Sequence, residues 1–123
     1  MLENFRVGQL WIGREVRSQA LANVEKLARD RKIPIEHETR ANAFAWYEVQ
    51  GKFLWPEPSS AVLSDAAKND DSLVMRLRYA DRAMMLPGDA EKEAEHEMIS
   101  ENSEDELHAE ILKIGHHGNF WRR

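Results

Sequence analysis

The stretch AMMLPGD at residues 83–89 decides the fold, because it joins an apolar strand to a stop signal and a carboxylate. Its apolar run is typical of a strand buried on both faces, and the proline and glycine end that strand. Asp89 then stands at the tip. A second stretch, AEILKIGHHG at residues 109–118, repeats the pattern with His116 and His117 after the predicted final strand. A carboxylate and imidazoles at the ends of buried strands are suitable ligands for a divalent metal ion.

Each half of this pattern also has an interpretation that needs no metal. Asp is among the best helix N-cap residues, worth about 0.5 to 2 kcal/mol over Ala, so Asp89 can cap the acidic helix predicted over residues 90–100. The histidine pair can form a polar loop. Together, with one acidic helix between them, the two features favour a metal site. His37, His96 and His108 lie beside charged residues or an acidic loop and are weaker candidates.

The first third of the chain is predicted to form a strand, a helix and a second strand. Residues 7–12 are mostly apolar and end at a glycine, and Ser18 is a helix N-cap followed by apolar residues on one face. Residues 33–35 begin the next strand. This order indicates a crossover unit, in which a helix packs on a sheet.

The middle of the chain is predicted to be rich in β-strands. Residues 45–49 and 52–55 flank a Gln-Gly pair, which is typical of a two-residue hairpin turn. Residues 73–79 alternate, which indicates a half-buried strand with Arg76 and Arg78 on its wetter face.

Length and composition indicate one domain over residues 1–123. The 123 residues are 42% apolar and 32% charged, as in folded domains. Because there is no cysteine, any metal must be held by His, Asp or Glu. A net charge of −5 with scattered basic residues argues against an autonomous nucleic-acid-binding module. The chain has no signal peptide and no apolar run near the roughly 18 residues that cross a bilayer, so we expect a cytoplasmic chain by default.

Three blocks of the sequence resemble the C-terminal metallo-β-lactamase-like domain of ComEC-type competence proteins. They are NDDSLVMRLRY at residues 69–79, LPGDAEKEAE at residues 86–95 and LKIGHHGN at residues 112–119, and LWPEP at residues 54–58 is also similar. The Asn-x-x-Ser-Leu, Gly-Asp and Gly-His-His-Gly motifs at this spacing are fairly specific. The resemblance covers nearly the whole chain.

The resemblance implies a fold, a metal site and its ligands. Members of this family fold as an αβ/βα sandwich, and the chain is similar to its central part, mostly one mixed sheet with helices on one side. In the complete domain a two-metal site of zinc or manganese is expected at the edge of the sheets. Asp89 matches the bridging carboxylate and is expected to be catalytic, and His117, or else His116, matches the last histidine ligand. With His117 as the ligand, His116 is expected either to support the ligands from behind or to face the scissile phosphate as a catalytic residue.

The resemblance also implies metal-dependent hydrolysis of DNA on the outer side of the bacterial inner membrane during DNA uptake. The family's His-x-His-x-Asp-His motif and its C-terminal portion have no match in the chain. We therefore expect the chain alone to lack hydrolase activity, and to need a complementary chain or to self-associate through exposed strand edges. Two alternatives stay open, a fragment of a small-molecule hydrolase of the same superfamily and a metal-free interaction domain.

Overall fold

The computed structural model of the chain describes residues 4–58 and 68–114. In chain order the elements are β1 (Leu10–Ile12), α1 (Gln19–Asp30), β2 (Ile35–His37), β3 (Ala43–Trp46), β4 (Val49–Trp55), β5 (Val74–Tyr79), β6 (Arg82–Leu86), α2 (Lys92–Glu101), α3 (Glu104–Leu107) and β7 (Ile111–Leu112). A 3-10 turn at Asn69–Asp71 precedes β5. Within these ranges, no helix combines the length and the apolar character that a membrane span needs.

The described strands form two sheets. β1 and β2 pair in parallel across α1, which confirms the predicted crossover unit. The other strands form a mixed sheet in the order β3-β4-β5-β6-β7, with β6 and β7 parallel and the remaining neighbours antiparallel. The α/β (α+β) fold class is therefore confirmed. Ser18 is the N-cap of α1, as predicted, and its hydroxyl oxygen accepts a hydrogen bond from the Leu21 amide at 3.4 Å.

Helix α2 covers one face of the five-stranded sheet. Ala94 and Met98 on one stripe of this helix pack with Leu54 and Trp55 of β4 and Val74 of β5, and these five side chains are buried. Ala94 and Met98 are one turn apart, so the sequence spacing alone puts them on one face of the helix. Burial of apolar area at about 25 cal/mol per Å² holds α2 against the sheet.

The opposite face carries a cluster of aromatic rings that joins the two sheets. Trp11 of β1 lies 4.7 Å from Phe44 and 5.2 Å from Trp46 of β3, and 5.4 Å from Phe53 of β4, measured between ring centroids. Such distances are within the range of favourable aromatic pairs. The tryptophan of the small sheet is thus packed on the first two strands of the large one.

The predicted position of the hairpin turn is wrong. The turn between β3 and β4 is formed by Tyr47 and Glu48, with Tyr47 at a φ of 52°, and not by the Gln-Gly pair. Gly51 instead lies inside β4 opposite Phe44. A Cβ atom at Gly51 would lie 2.1 Å from Cζ of Phe44, so the glycine is needed for the ring to lie over the strand.

The bounds of α2 and of the final strand, and the burial of β6, also differ from the predictions. α2 begins at Lys92 rather than at residue 90, and the final strand is limited to Ile111–Leu112 rather than reaching from 109 to 114. In β6 only Ala83 is buried, whereas the three residues that follow it are half-buried. The apolar run therefore predicted the strand correctly but overestimated how deeply its residues are buried by the described part of the chain.

Candidate functional site

Asp89 stands in a turn just beyond the end of β6, and Ser72 holds its backbone. The Ser72 hydroxyl oxygen accepts a hydrogen bond from the Asp89 amide at 3.0 Å. Gly88 has a φ of 61°, and a Cβ there would lie 2.9 Å from Cβ of Ser72. Gly88 therefore meets two requirements, a left-handed backbone and a close approach to Ser72. Two separate motifs of the sequence, Asn-x-x-Ser-Leu and Gly-Asp, touch at this point.

The 3-10 turn ahead of Ser72 connects the site to two other elements. A carboxylate oxygen of Asp70 accepts a hydrogen bond from the Glu91 amide at 2.7 Å, at the start of α2. The carbonyl oxygen of Asp70 accepts a hydrogen bond from the indole Nε1 of Trp55, also at 2.7 Å. Because Trp55 is in the core, the turn is held to the buried end of β4 as well as to the helix.

The interpretation of Asp89 as the helix N-cap is wrong. The N-cap position of α2 belongs to Glu91, two residues later, and the carboxylate that accepts the Glu91 amide is that of Asp70. The local sequence does not show this, because the acceptor for the Glu91 amide comes from the 3-10 turn, 21 residues earlier in the chain. The capping preference of Asp consequently does not explain why a half-buried carboxylate occupies position 89.

Arg14 braces the same turn from the small sheet. It follows β1 by two residues, and its guanidinium carbon lies 4.7 Å from the centroid of the Trp55 ring. Its Nη1 lies 3.7 Å from Oδ1 of Asp71, whose side chain is only 7% exposed and also accepts a hydrogen bond from the Lys68 amide at 2.8 Å. The ends of both sheets thus meet next to Ser72 and the Asp89 turn.

The described part of the chain ends just after β7, which runs in the same direction as β6. β7 pairs with β6 in parallel, Met84 opposite Ile111, and the Lys113 amide donates to the Met85 carbonyl at 3.0 Å. Parallel neighbours end at the same edge of a sheet. Beyond Lys113 the described chain therefore heads toward the edge at which Asp89 lies.

The structure describes only one of the three predicted site residues. Asp89 is described, whereas His116 and His117 lie outside the described residues. Within residues 4–58 and 68–114 no three His, Asp or Glu side chains come together as a metal-binding group. His37, His96 and His108 are exposed, and Nδ1 of His108 lies 3.8 Å from a Glu110 carboxylate oxygen.

An ion pair behind the site joins α3 to the sheet. The Glu106 carboxylate pairs with Lys52 of β4 and also closes a capping box with Ser103. The hydrogen bond from Lys52 and that from the Ser103 amide lower the pKa of Glu106 to about 2. Neither residue was singled out in the sequence, although the Ser-x-x-Glu spacing at 103–106 is the signature of this cap.

This depressed pKa predicts a defined acid sensitivity. A carboxyl whose pKa is lower in the folded state stabilises above its unfolded value near 4.5, and that stabilisation is lost as the pH falls from about 4.5 to about 2. Since both side chains are 39% exposed, we expect only about 0.5 to 1 kcal/mol from the pair. Glu106→Gln keeps the capping box and should remove this part of the pH dependence in urea unfolding between pH 5 and pH 2. Glu104→Gln, on the same short helix, is the control. If the free energy of unfolding changes equally steeply with pH in the two variants, the assignment is contradicted.

Some site residues could be found from the sequence and others could not. Ser72 belongs to a recognised motif, but its role as acceptor for the Asp89 amide needed the fold. Arg14 carries no sequence signal, because its partners Trp55 and Asp71 are distant in the chain.

The chain is similar in sequence to a known bacterial protein. It is 33% identical over 96 residues to ComE operon protein 3 of Bacillus subtilis (strain 168), a match that covers 78% of this chain. The match takes in 12% of the length of that relative. No family model and no solved structure matches the chain. The predicted resemblance is confirmed as far as a similarity to a ComE operon protein, and the metallo-β-lactamase-like domain stays a prediction.

Proposed function

We propose that the chain forms part of the metal-dependent hydrolase domain of a competence protein for DNA uptake, in which Asp89 and His117 bind a divalent metal ion. In this proposal His116 faces the scissile phosphate, and the substrate is a phosphodiester of DNA. The ComE operon relative supports the competence context, and the Gly-His-His-Gly and Gly-Asp motifs support the chemistry.

The observation that carries the proposal is the parallel pairing of β6 with β7. The hydrogen bond from the Lys113 amide to the Met85 carbonyl extends this pairing to Lys113, which is two residues before Gly115 in the sequence. In this proposal the imidazoles that follow β7 in the sequence meet the Asp89 carboxylate at the edge where the two parallel strands end, as a metal site requires. The turn beneath Asp89 is braced by Ser72, Asp70 and, through Asp71, Arg14, so the carboxylate stands on a fixed support.

The donor set of this edge fits zinc or manganese. One carboxylate and one imidazole, in a chain without cysteine, suit a borderline divalent ion. Such an ion, when bound, lowers the pKa of a bound water and neutralises negative charge on a phosphodiester. The chain's own residues position Asp89: Ser72 fixes the backbone at 89, and Gly88 lets the chain turn there. A catalytic ion needs more ligands than these, so we expect residues outside this chain to complete the site.

Metal binding by the purified chain tests the proposal. Mn²⁺ affinity, measured by electron paramagnetic resonance of the free ion, is expected to be weak because the ligand set is incomplete. Asp89→Asn and His117→Ala should each lower it by about tenfold or more, since each change removes a ligand. Asp81→Asn and His96→Ala, which remove an exposed carboxylate and an exposed imidazole elsewhere, are matched controls that should leave the affinity unchanged.

Two outcomes would count against the proposal. If all four variants bind Mn²⁺ as the original chain does, or if no saturable binding is found, the metal-free interaction domain is the better account. Hydrolysis of a phosphodiester by the chain alone, at a rate that Asp89→Asn does not reduce, would also contradict the assigned roles. Cleavage of a small ester but never of DNA by the complete protein would favour the small-molecule hydrolase.

A further inference from the structure

A basic groove lies on the large sheet, away from the Asp89 edge. The groove is open and has a volume of about 550 Å³, and its lining includes Gln50 and Lys52 of β4 and Arg76 and Arg78 of β5. The register puts Lys52 opposite Arg76 and Gln50 opposite Arg78, so all four side chains stand on one face. Residues 43–45 of β3 and Gly51 complete the lining.

The charges in this groove are incompletely balanced. Among the described residues, only Lys52 of the three cations forms an ion pair, with Glu106, in a chain whose net charge is −5. Like charges on directly opposed strand residues destabilise a sheet. Lys52 and Arg76 each contact the segment at α3, but their like charges oppose each other across the two strands, and conflicts of this kind are expected where a protein binds something.

The contacts of the two arginines leave most of their donors available. The Nε of Arg76 donates to the His108 carbonyl at 2.6 Å, and the Nε of Arg78 donates to the Ala80 carbonyl at 3.2 Å. Each contact fixes the side chain by its Nε. Among the described residues, the terminal nitrogens of both guanidinium groups have no hydrogen-bond acceptor. A planar guanidinium held in this way is suited to two oxygens of a phosphate.

We propose that this groove binds the phosphodiester backbone of a nucleic-acid strand. Arg76 and Arg78 contact successive phosphates, and Lys52 adds charge beside them. Helix α2 covers the sheet face between the groove and the Asp89 edge, so the groove holds a flanking part of the strand and not the reacting phosphate. The choice of nucleic acid among phosphate-bearing polymers rests on the proposed function, whereas the groove and its charges do not.

Binding of a fluorescently labelled single-stranded oligothymidylate by the whole chain tests this proposal. Fluorescence anisotropy is followed in EDTA over a series of salt concentrations, so that no metal contributes. Arg76→Gln/Arg78→Gln should weaken binding about tenfold or more and lower the slope of log K against log salt by about 1.4, since each lost phosphate contact removes roughly 0.7. Arg78→Gln alone, which removes no contact to another element, should lower the slope by about 0.7.

The matched control lies on the same sheet. Arg82→Gln removes one positive charge from the opposite face, because Arg82 pairs with Tyr79 of β5. This variant should bind as the original chain does, and Arg76→Lys/Arg78→Lys should recover part of the affinity. Thermal unfolding of each variant shows whether it is folded.

Three results would overturn the inference. They are no binding of the oligothymidylate at low salt, a loss of affinity in Arg82→Gln equal to that in Arg78→Gln, and displacement of the labelled oligothymidylate by polyglutamate as effectively as by unlabelled oligonucleotide. Because the titration is carried out in EDTA, its result does not depend on metal binding at Asp89. Failure of the metal site and failure of the groove are thus separate results.

Discussion

Gly88→Ala is expected to lower the free energy of unfolding by about 2 to 4 kcal/mol. A left-handed backbone costs a non-glycine residue roughly 1 to 3 kcal/mol, and overpacking adds a cost of similar size. Both apply here, since the φ is 61° and the new Cβ would lie 2.9 Å from Cβ of Ser72. Urea unfolding followed by tryptophan fluorescence measures the change.

The same substitution should also disturb the site. To relieve the contact, the Ser72 side chain must move, and the hydrogen bond from the Asp89 amide is then lost or lengthened. Gly8→Ala is the control, because a Cβ at Gly8 meets no atom within 4 Å. A Gly88→Ala variant as stable as Gly8→Ala would contradict the structure of this turn.

Gly51→Ala is expected to cost about as much, roughly 2 to 4 kcal/mol, for a different reason. The added Cβ occupies the place of the Phe44 ring, whose Cζ would be 2.1 Å away. Phe44 is held between Trp11 and Trp46 at centroid distances of 4.7 Å from each, so it cannot turn aside without breaking the aromatic cluster. Near-UV circular dichroism should lose its tryptophan bands together with the stability.

A double-mutant cycle isolates this contact. In a Phe44→Ala background the space above Gly51 is empty, and Gly51→Ala should become nearly neutral there. If Gly51→Ala costs the same in both backgrounds, backbone effects and not the ring explain the glycine. The cycle also tests the observed hairpin directly, because a glycine in a turn would not depend on Phe44.

Local signals predicted much of the fold. The Ser18 cap, the parallel unit around α1 and the strand that ends before Asp89 were all readable from short patterns, since each depends on neighbours in the chain. The hairpin failed because Gln50-Gly51 satisfies a local turn rule while Gly51 is used for a contact across the sheet.

The ligands of the candidate site stay predictions from the sequence, whereas the contacts that support Asp89 became visible only in the fold. Asp89 stands out by its position after a strand, whereas the carboxylate of Asp70 displaces it from the expected capping role through a contact between residues 21 positions apart. Arg14 reaches Asp71 across a still longer separation. Contacts of this kind depend on topology, which a pattern of spacing within one segment does not contain.

The most direct test of the account asks whether Asp89 and His117 share one metal ion. Nuclear magnetic resonance of the isotope-labelled chain, titrated with Mn²⁺, reports every group near the bound ion through its line broadening. We predict that the Asp89 amide and the His117 ring broaden together, at the lowest Mn²⁺ concentrations, and that Asp89→Asn removes the broadening at His117. Broadening of the His117 ring that Asp89→Asn leaves unchanged would contradict the shared site.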